Sequence, residues 1–221
     1  YTLSNLNIPN IVKIQSYRLP LFKYKENTIY VENSKRSNRV ETSGYIIVKD
    51  YYENGNLDKL TEDYLESNGS NNSILNPTVR SKIIFGVAAI MKKLHKLNIV
   101  HSNLTIGNVL LDDNCEPVIN NFGYAGFYKG GPFTELPIEI NNPITVEFAL
   151  SMAPERIESD ISDVTFESDV YSYGIFVYLM FSPLKYLLRN NRIRGMYQIF
   201  KKTIEKGYIR PNNCPDHYWE L

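Results

Sequence analysis

The stretch of sequence that decides the fold is residues 99–111, which read Ile99-Val100-His101-Ser102-Asn103-Leu104-Thr105-Ile106-Gly107-Asn108-Val109-Leu110-Leu111. It contains a polar loop with one histidine and two asparagines, and the apolar residues at its end predict a strand. Three further groups of motif residues follow it, at 121–123, 153–155 and 168–174. A single short motif arises often by chance, so the information lies in the order and spacing of these groups.

The residues just upstream predict a long helix. Pro77 is well placed to open it, because the fixed φ of proline suits the first helical position. Apolar residues then recur at three- and four-residue steps, which predicts a buried stripe on a helix of about five turns. These residues are Val79, Ile83, Ile84, Val87, Ile90, Met91 and Leu94. Further helices are predicted over about 167–181 and, more weakly, about 194–206, where Gly207 ends the second of them.

The remaining segments predict strands, a short helix and one long irregular tract. Apolar and β-branched residues predict strands at 8–14, 28–32 and 44–52. A turn after residue 52 leads into a predicted helix over 57–65. Residues 120–155 are rich in Gly, Asn and Pro, and an irregular tract of that length is usually functional or disordered.

Composition excludes several classes of function. The 221 residues are 43% hydrophobic, enough for a sizeable core, and the 24 basic residues balance the 24 acidic ones. No net charge therefore draws the chain to nucleic acid or anionic membrane. Cys115 and Cys214 lack zinc-motif spacing, and the three histidines are scattered. The longest apolar runs fall well short of the roughly 20 residues of a membrane span. We expect a cytoplasmic domain with no membrane segment in this stretch and no nucleic-acid partner.

In this order and spacing, the motif groups resemble those of protein kinases. Residues 101–108 resemble the catalytic-loop pattern H-R-D-L-x-x-x-x-N. Asn121-Phe122-Gly123 stands where that family has D-F-G, and Ala153-Pro154-Glu155 matches A-P-E. Residues 168–174 resemble the aspartate-bearing helix that follows the activation segment, and residues 50–57 resemble the hinge between the lobes. The resemblance covers essentially the whole chain.

The resemblance implies an α+β, protein-kinase-like fold with a mainly helical C-terminal lobe. Residues 1–52 would supply the hinge and the remaining strands of a truncated N-terminal lobe, the family's fourth and fifth. Residues 53–221 would form the C-terminal lobe, incomplete at its C-terminal end. The family's Gly-rich loop, its phosphate-binding lysine and the glutamate that pairs with that lysine are expected before residue 1. Lys49, in a stretch that resembles V-A-I-K, is an alternative candidate for this lysine, although hinge-like residues follow it directly.

The resemblance assigns three catalytic-loop positions to phosphoryl transfer. Asn103 stands where the family uses an aspartate to accept the proton of the substrate hydroxyl, and a neutral amide cannot act as that base. Ser102 replaces an arginine that commonly receives a phosphate from the activation loop. Thr105 replaces a lysine that contacts phosphate in serine/threonine kinases. All three substitutions remove charge.

The cofactor positions implied by the resemblance are partly kept. Those that match the hinge and the floor of the adenine site are Asp50, Tyr51, Tyr52 and Leu110. Asn108 matches a position that serves cofactor and metal binding. Asn121 offers a neutral carbonyl oxygen where Mg²⁺ would find a carboxylate, the ligand it prefers. The resemblance therefore implies ATP as the candidate ligand and a poor site for Mg²⁺.

The packing positions of the family are retained. The resemblance implies that His101 and Phe122 stack in an internal hydrophobic column, and that Asp169 ties the catalytic loop to its supporting helix. A simpler interpretation of His101 and Phe122 is that they are ordinary core residues. Either way, packing residues are kept where charged ones are lost.

This pattern predicts a pseudokinase, a kinase-like domain that serves protein partners as a binding, scaffold or regulatory module and retains some ATP binding. The first alternative is a weakly active protein kinase, with its serine/threonine or tyrosine class unresolved. Asp112 and Asp113 are candidate acids for such an enzyme, although a solvated turn is the simpler interpretation of both. The second alternative is a decayed copy or an unrelated helical fold.

Overall fold

The computed structural model describes residues 8–18, 28–33, 36–41, 46–67, 74–128, 146–158, 165–182 and 207–220. Contacts divide the chain into two compact units. The first contains Val12–Tyr51, and the second contains Ile8–Ile11 and Tyr52–Leu221. The predicted division into residues 1–52 and 53–221 therefore differs by one residue at this boundary, and also in the placement of Ile8–Ile11.

Ile8–Ile11 belongs to the second unit because its backbone pairs there. The Ile119 amide donates to the Asn10 carbonyl at 2.9 Å, and Ile11 forms a parallel bridge with Ile119. The Asn10 side chain donates to the Pro117 carbonyl at 3.3 Å. Of the strand predicted over 8–14, only its last residue lies in a regular strand.

The first unit contains two antiparallel strand pairs. β1 (Ile14–Arg18) pairs with β4 (Ile46–Lys49), and β2 (Thr28–Asn33) pairs with β3 (Arg36–Glu41). The strand predicted over 28–32 is confirmed, and the one predicted over 44–52 is confirmed for β4. β3 was not predicted, because its sequence contains only one apolar residue. It forms a strand by pairing with β2, not because of an apolar pattern of its own.

Two capped helices begin the helical part of the second unit. α1 (Leu57–Glu66) starts where the Asn56 side chain accepts a hydrogen bond from the Lys59 amide. α2 (Pro77–Lys96) has the same cap from Asn76 and carries Pro77 in its first turn. The predicted stripe on α2 is buried except for the half-buried Val79. In the described ranges, no helix is long and apolar enough to cross a membrane.

Four short strands frame the motif loop that follows α2. β5 (Ile99–Val100) pairs antiparallel with β8 (Gly126–Phe127), and β6 (Val109–Leu111) pairs antiparallel with β7 (Pro117–Ile119). β7 packs closely on α2, because a Cβ atom added to Gly86 would lie 2.6 Å from Cγ of Pro117. The motif loop is thus held by a strand at each end.

The later elements are mostly helical. They are α3 (Val146–Ser151), α4 (Pro154–Glu158), α5 (Phe166–Leu179) and α6 (Asp216–Trp219). α5 confirms the helix predicted over about 167–181, and it begins at a capping box formed by Thr165 and Ser168. The tract over 120–155 is not irregular throughout, because it contains β8, α3 and the start of α4. The third predicted helix, over 194–206, lies outside the described residues.

Candidate functional site

The centre of the site is the buried carboxylate of Asp169, in the first turn of α5. Its Oδ2 accepts a hydrogen bond from the His101 amide at 2.8 Å, and its Oδ1 accepts one from the Ser102 amide at 2.9 Å. His95 Nε2, from α2, lies 3.0 Å from Oδ2. The predicted role of Asp169, to tie the catalytic loop (residues 101–108) to its supporting helix, is confirmed. His95 lies in the last turn of α2, and no sequence motif marks it as part of the site.

Ser102 is held in a left-handed conformation, with φ of 65°. This conformation is unfavourable for residues other than glycine and asparagine, so neighbouring contacts must hold it. Two contacts do so: the Asp169 carboxylate on the Ser102 amide, and Nη1 of the buried Arg156, which donates to the Ser102 carbonyl at 3.1 Å. Burial lowers the pKa of Arg156, while the Asp169 and Glu155 carboxylates raise it. Nothing in the sequence marks Arg156 as part of the site.

His101 and Phe122 make the ring contact that the resemblance implies. Their ring centroids lie 4.7 Å apart in an edge-on arrangement. Burial lowers the pKa of His101, against the carboxylate of Asp169 and the hydrogen bond to the Asn120 carbonyl, which raise it. The neutral ring then accepts a hydrogen bond from the Asn103 amide at Nδ1 and donates from Nε2 to the Asn120 carbonyl, 3.0 Å away. His101 is thus a neutral packing residue.

Three asparagines are linked to one another: Asn103 and Asn121, which stand where the family has aspartate, and Asn108, which the family pattern shares. Asn108 Nδ2 donates to the Asn103 backbone carbonyl at 2.8 Å. Asn121 Nδ2 donates to Asn108 Oδ1 at 3.3 Å, and Asn121 itself has a left-handed backbone with φ of 66°. The structure therefore brings together Asn103, Asn108 and Asn121 in an arrangement that we call the amide chain.

The amide chain does not fit Mg²⁺. That ion demands near-octahedral oxygen ligands and favours carboxylates, and Asn121 supplies a neutral amide where the family has a carboxylate. The Oδ1 of Asn108, its candidate metal-ligating atom, already accepts the Asn121 amide hydrogen. Among the described residues, no group of three or more His, Cys, Asp or Glu side chains could hold a metal ion.

The catalytic loop is also contacted by the segment that precedes A-P-E. The Gly107 amide donates to Glu147 Oε1 at 2.7 Å. One residue later, the buried ring of Phe148 stacks on Tyr124, with centroids 5.3 Å apart and planes inclined by 26°. Thr105, predicted as a phosphate-contact position, is buried in this region at 4% exposure. Sequence reasoning missed Glu147, because no motif lies between residues 124 and 152.

The two acidic candidates for an alternative catalytic role lie in a turn between β6 and β7. Asp112 Oδ1 accepts hydrogen bonds from the Asn114 amide at 2.9 Å and the Glu116 amide at 2.8 Å. Asp113 is exposed in the same turn. The interpretation of this segment as a turn is confirmed. The Asp112 carboxylate stabilises that turn by accepting hydrogen bonds from its backbone.

The adenine-site predictions fall on both units of the chain. Asp50 accepts a side-chain hydrogen bond from Gln15 at 2.5 Å, and Tyr51 is 86% exposed; both end the first unit. Tyr52 begins the second unit, where its carbonyl accepts the Gly55 amide at 3.1 Å. Leu110 lies half-buried in β6. The role of these four residues in nucleotide binding stays a prediction.

Comparison with known proteins agrees with these motifs. The sequence model of the protein kinase domain matches residues 1–221. Cysteine-rich receptor-like protein kinase 26 of Arabidopsis thaliana is 30% identical over 74% of this chain and 24% of its own length. The probable LRR receptor-like serine/threonine-protein kinase IRK of the same plant is 25% identical over 97% of this chain and 21% of its own.

A rice relative, cysteine-rich receptor-like protein kinase 6 of Oryza sativa subsp. japonica, is 32% identical over 74% of this chain and 23% of its own length. The chain thus spans less than a quarter of each of these relatives. The match of the family model runs from the first residue to the last and includes the catalytic loop, the Asn121-Phe122-Gly123 motif and Asp169. The chain belongs to the protein kinase domain family.

Proposed function

We propose that this protein kinase domain serves as a binding or regulatory module and does not transfer phosphate by the usual route through Mg²⁺ and ATP. The amide chain is the observation that carries the proposal. Asn121 and Asn108 satisfy each other at the positions that the resemblance assigns to metal ligands, and Asn108 is bonded in turn to the backbone of Asn103. At Asn103 and Asn121, neutral amides thus occupy places where phosphoryl transfer uses carboxylates.

The remaining substitutions support the same conclusion. An amide at Asn103 cannot take the proton of a substrate hydroxyl, and the loss of a general base typically slows a reaction by about 10²- to 10⁴-fold. Ser102 and Thr105 remove two cations that would neutralise phosphate charge. These effects act on one step and do not simply multiply, yet all of them lower the rate.

A weakly active kinase is the second candidate, and one observation favours it. The frame around the catalytic loop is intact, because Asp169 holds the loop backbone and His101 contacts Phe122. Two relatives carry the words serine/threonine-protein kinase in their names, which supports that acceptor class over tyrosine for such an activity.

Ligands and location follow from the family as further proposals. We infer that the nucleotide the domain binds, if it binds one, is ATP. We also infer that the domain acts by binding other proteins. The receptor-like names of the relatives support a signalling context. The cytoplasmic location is a prediction that fluorescence microscopy of the tagged full-length protein tests.

Phosphoryl transfer and Mg²⁺-dependent stabilisation by ATP test the proposal together. With radiolabelled ATP and Mg²⁺, we expect no label on the protein or on a generic substrate such as casein. We expect any ATP-induced rise in melting temperature to be the same with and without Mg²⁺. The double variant Asn103→Asp/Asn121→Asp restores both carboxylates at unchanged side-chain shape, so it should gain a Mg²⁺-dependent rise.

Two outcomes decide between the candidates. Mg²⁺-dependent labelling by the wild-type protein that disappears in Asn108→Ala would overturn the proposal and establish the weak kinase. A melting temperature that ATP leaves unchanged, in the absence of labelling, would support a module that acts on protein partners without nucleotide.

A further inference from the structure

Residues 146–156 contact the catalytic loop at two points. Glu147 accepts a hydrogen bond from the Gly107 amide at 2.7 Å, and Arg156 donates one to the Ser102 carbonyl at 3.1 Å. The two contacts lie near opposite ends of the loop and use side chains of opposite charge. Each pairs a charged group with a backbone dipole, which makes it stronger than a hydrogen bond between neutral groups.

The loop residues between these contacts are covered. Asn103 is 6% exposed, and Leu104 and Thr105 are also buried. A residue at the base position must come within hydrogen-bond distance of a substrate hydroxyl, directly or through one water. With Asn103 and Thr105 buried, the loop offers an acceptor hydroxyl little accessible surface at these two positions.

The segment is also fixed on its other side. Ser172 Oγ, on α5, donates to the Ser151 carbonyl at the end of α3 at 2.7 Å. Phe148 is buried and stacks on Tyr124, the residue that follows Asn121-Phe122-Gly123. α3 is therefore attached to α5 and to the start of the activation segment as well as to the catalytic loop.

The contact at Gly107 depends on the absence of a side chain there. A Cβ atom added to Gly107 would lie 3.1 Å from both Oε1 and Oε2 of Glu147, tighter than most real contacts. The carboxylate thus lies directly over this glycine. A residue larger than glycine would force the carboxylate to move by a few tenths of an ångström.

We infer that Glu147 and Arg156 form a clasp that keeps the substrate-facing side of the catalytic loop closed. The charges of the clasp belong to the chain itself, so closure needs no phosphate on the activation segment. Ser102 receives the Arg156 guanidinium at the position where the family has its own phosphate-receiving arginine. The clasp would close the loop whether position 103 held asparagine or aspartate, so its test is independent of the test for phosphoryl transfer.

A cysteine placed at position 105 reports on the clasp. Thr105→Cys removes one methyl group and exchanges the hydroxyl for a thiol, whose alkylation by iodoacetamide can be followed by peptide mass spectrometry. We expect slow labelling when Glu147 is present. In the Glu147→Ala background, labelling at 105 and hydrogen exchange of the Gly107 amide should both rise by about tenfold or more, the factor expected for loss of one hydrogen bond to a charged group.

Two variants separate the contact from its charge. Glu147→Gln removes the charge and keeps an accepting oxygen, so it should label closer to the wild-type rate than Glu147→Ala does. Glu62→Ala is the matched control. Burial has the largest effect in raising the pKa of Asp58, the carboxylates of Glu147 and Glu62 both raise it further, and the Gly107 amide donates to Glu147. We expect Glu62→Ala to leave labelling at 105 unchanged.

Gly107→Ala tests the clasp by a change in the loop instead of in Glu147, because the added Cβ atom displaces the carboxylate. It should raise labelling at 105 by less than Glu147→Ala does, and it keeps the test decisive if Glu147→Ala does not fold. Labelling at 105 that is fast in the parent protein, or that rises equally in Glu62→Ala, would overturn the clasp. Slow labelling that persists in folded Glu147→Ala or Gly107→Ala protein would overturn it as well.

Discussion

At the residue scale, some residues have a left-handed backbone conformation, which suits some side chains and not others. Among the described residues, five that are not glycine have positive φ: Asn10, Asn98, Ser102, Cys115 and Asn121. Asparagine tolerates this region because its short polar side chain bonds locally. Ser102 is held by Asp169 and Arg156. Cys115 lies in a turn, in which its amide donates to the Asp112 carbonyl.

Replacing Cys115 with glycine should therefore stabilise the protein. The left-handed conformation costs an L-residue roughly 1–2 kcal/mol, and the extra freedom of glycine in the unfolded chain offsets part of the gain. We expect Cys115→Gly to raise the free energy of unfolding by up to about 1 kcal/mol in urea denaturation. Asn98→Gly, at φ of 57°, is the control and should change it little. A lower unfolding free energy for Cys115→Gly would contradict this account of the turn.

The buried imidazole of His101 should make stability depend on pH. Because burial lowers its pKa in the folded state, the unfolded chain binds a proton at higher pH than the folded protein does. Stability should then fall as the pH drops below about 6.5, the ordinary value for histidine. We expect His101→Phe to lose less melting temperature than the wild type between about pH 7 and pH 5. His217→Gln, at an exposed position, should behave as the wild type, and equal slopes in all three proteins would contradict the prediction.

At the scale of elements, the packing of β7 on α2 reverses an ordinary rule for helices. Glycine inside a helix usually destabilises it by about 1 kcal/mol relative to alanine. Gly86 is different, because a Cβ atom there would lie 2.6 Å from Cγ and 3.0 Å from Cδ of Pro117, and a proline ring cannot swing away. The close approach of the strand to the helix therefore requires glycine at this position.

Two alanine substitutions test this packing. Gly86→Ala should lower the free energy of unfolding by about 1–3 kcal/mol, as overpacking usually does. Gly174→Ala, on the exposed side of α5 with open space around it, should raise it by up to about 1 kcal/mol. Thermal or urea unfolding of the two variants measures both effects. A higher unfolding free energy for Gly86→Ala would contradict this account and indicate that β7 moves to accommodate the added methyl group.

Prediction of the elements from sequence succeeded where the signal is local. The stripe on α2 and the helix of α5 are visible in apolar spacing, and Pro77 marks where α2 begins. β3 and α3 lack such a signal. β3 is defined by pairing with β2, and α3 is a short helix inside a tract rich in residues that favour turns.

At the scale of the whole molecule, the motifs predicted the fold family and the residues that meet around the catalytic loop. Asp169, His101 and Phe122 lie where the family pattern implies, because each belongs to a motif of fixed order. Glu147 and Arg156 could not be predicted, since their partners lie 40 and 54 residues away and no motif links them. The hydrogen bond between Asn108 and Asn121 also needed coordinates, because sequence gives the residue types but not which amide faces which.

The carboxylate of Asp169 has a mechanical consequence as well. It joins the backbone of the catalytic loop to α5, and through His95 to the C-terminal end of α2. A shift of either helix by a fraction of an ångström would strain all of these bonds at once, since hydrogen bonds weaken steeply away from their preferred geometry. The two helices and the loop therefore respond to load as one stiff body. A partner that pushes on the exposed face of α2 or α5 would displace the loop with the helix rather than bend the joint between them.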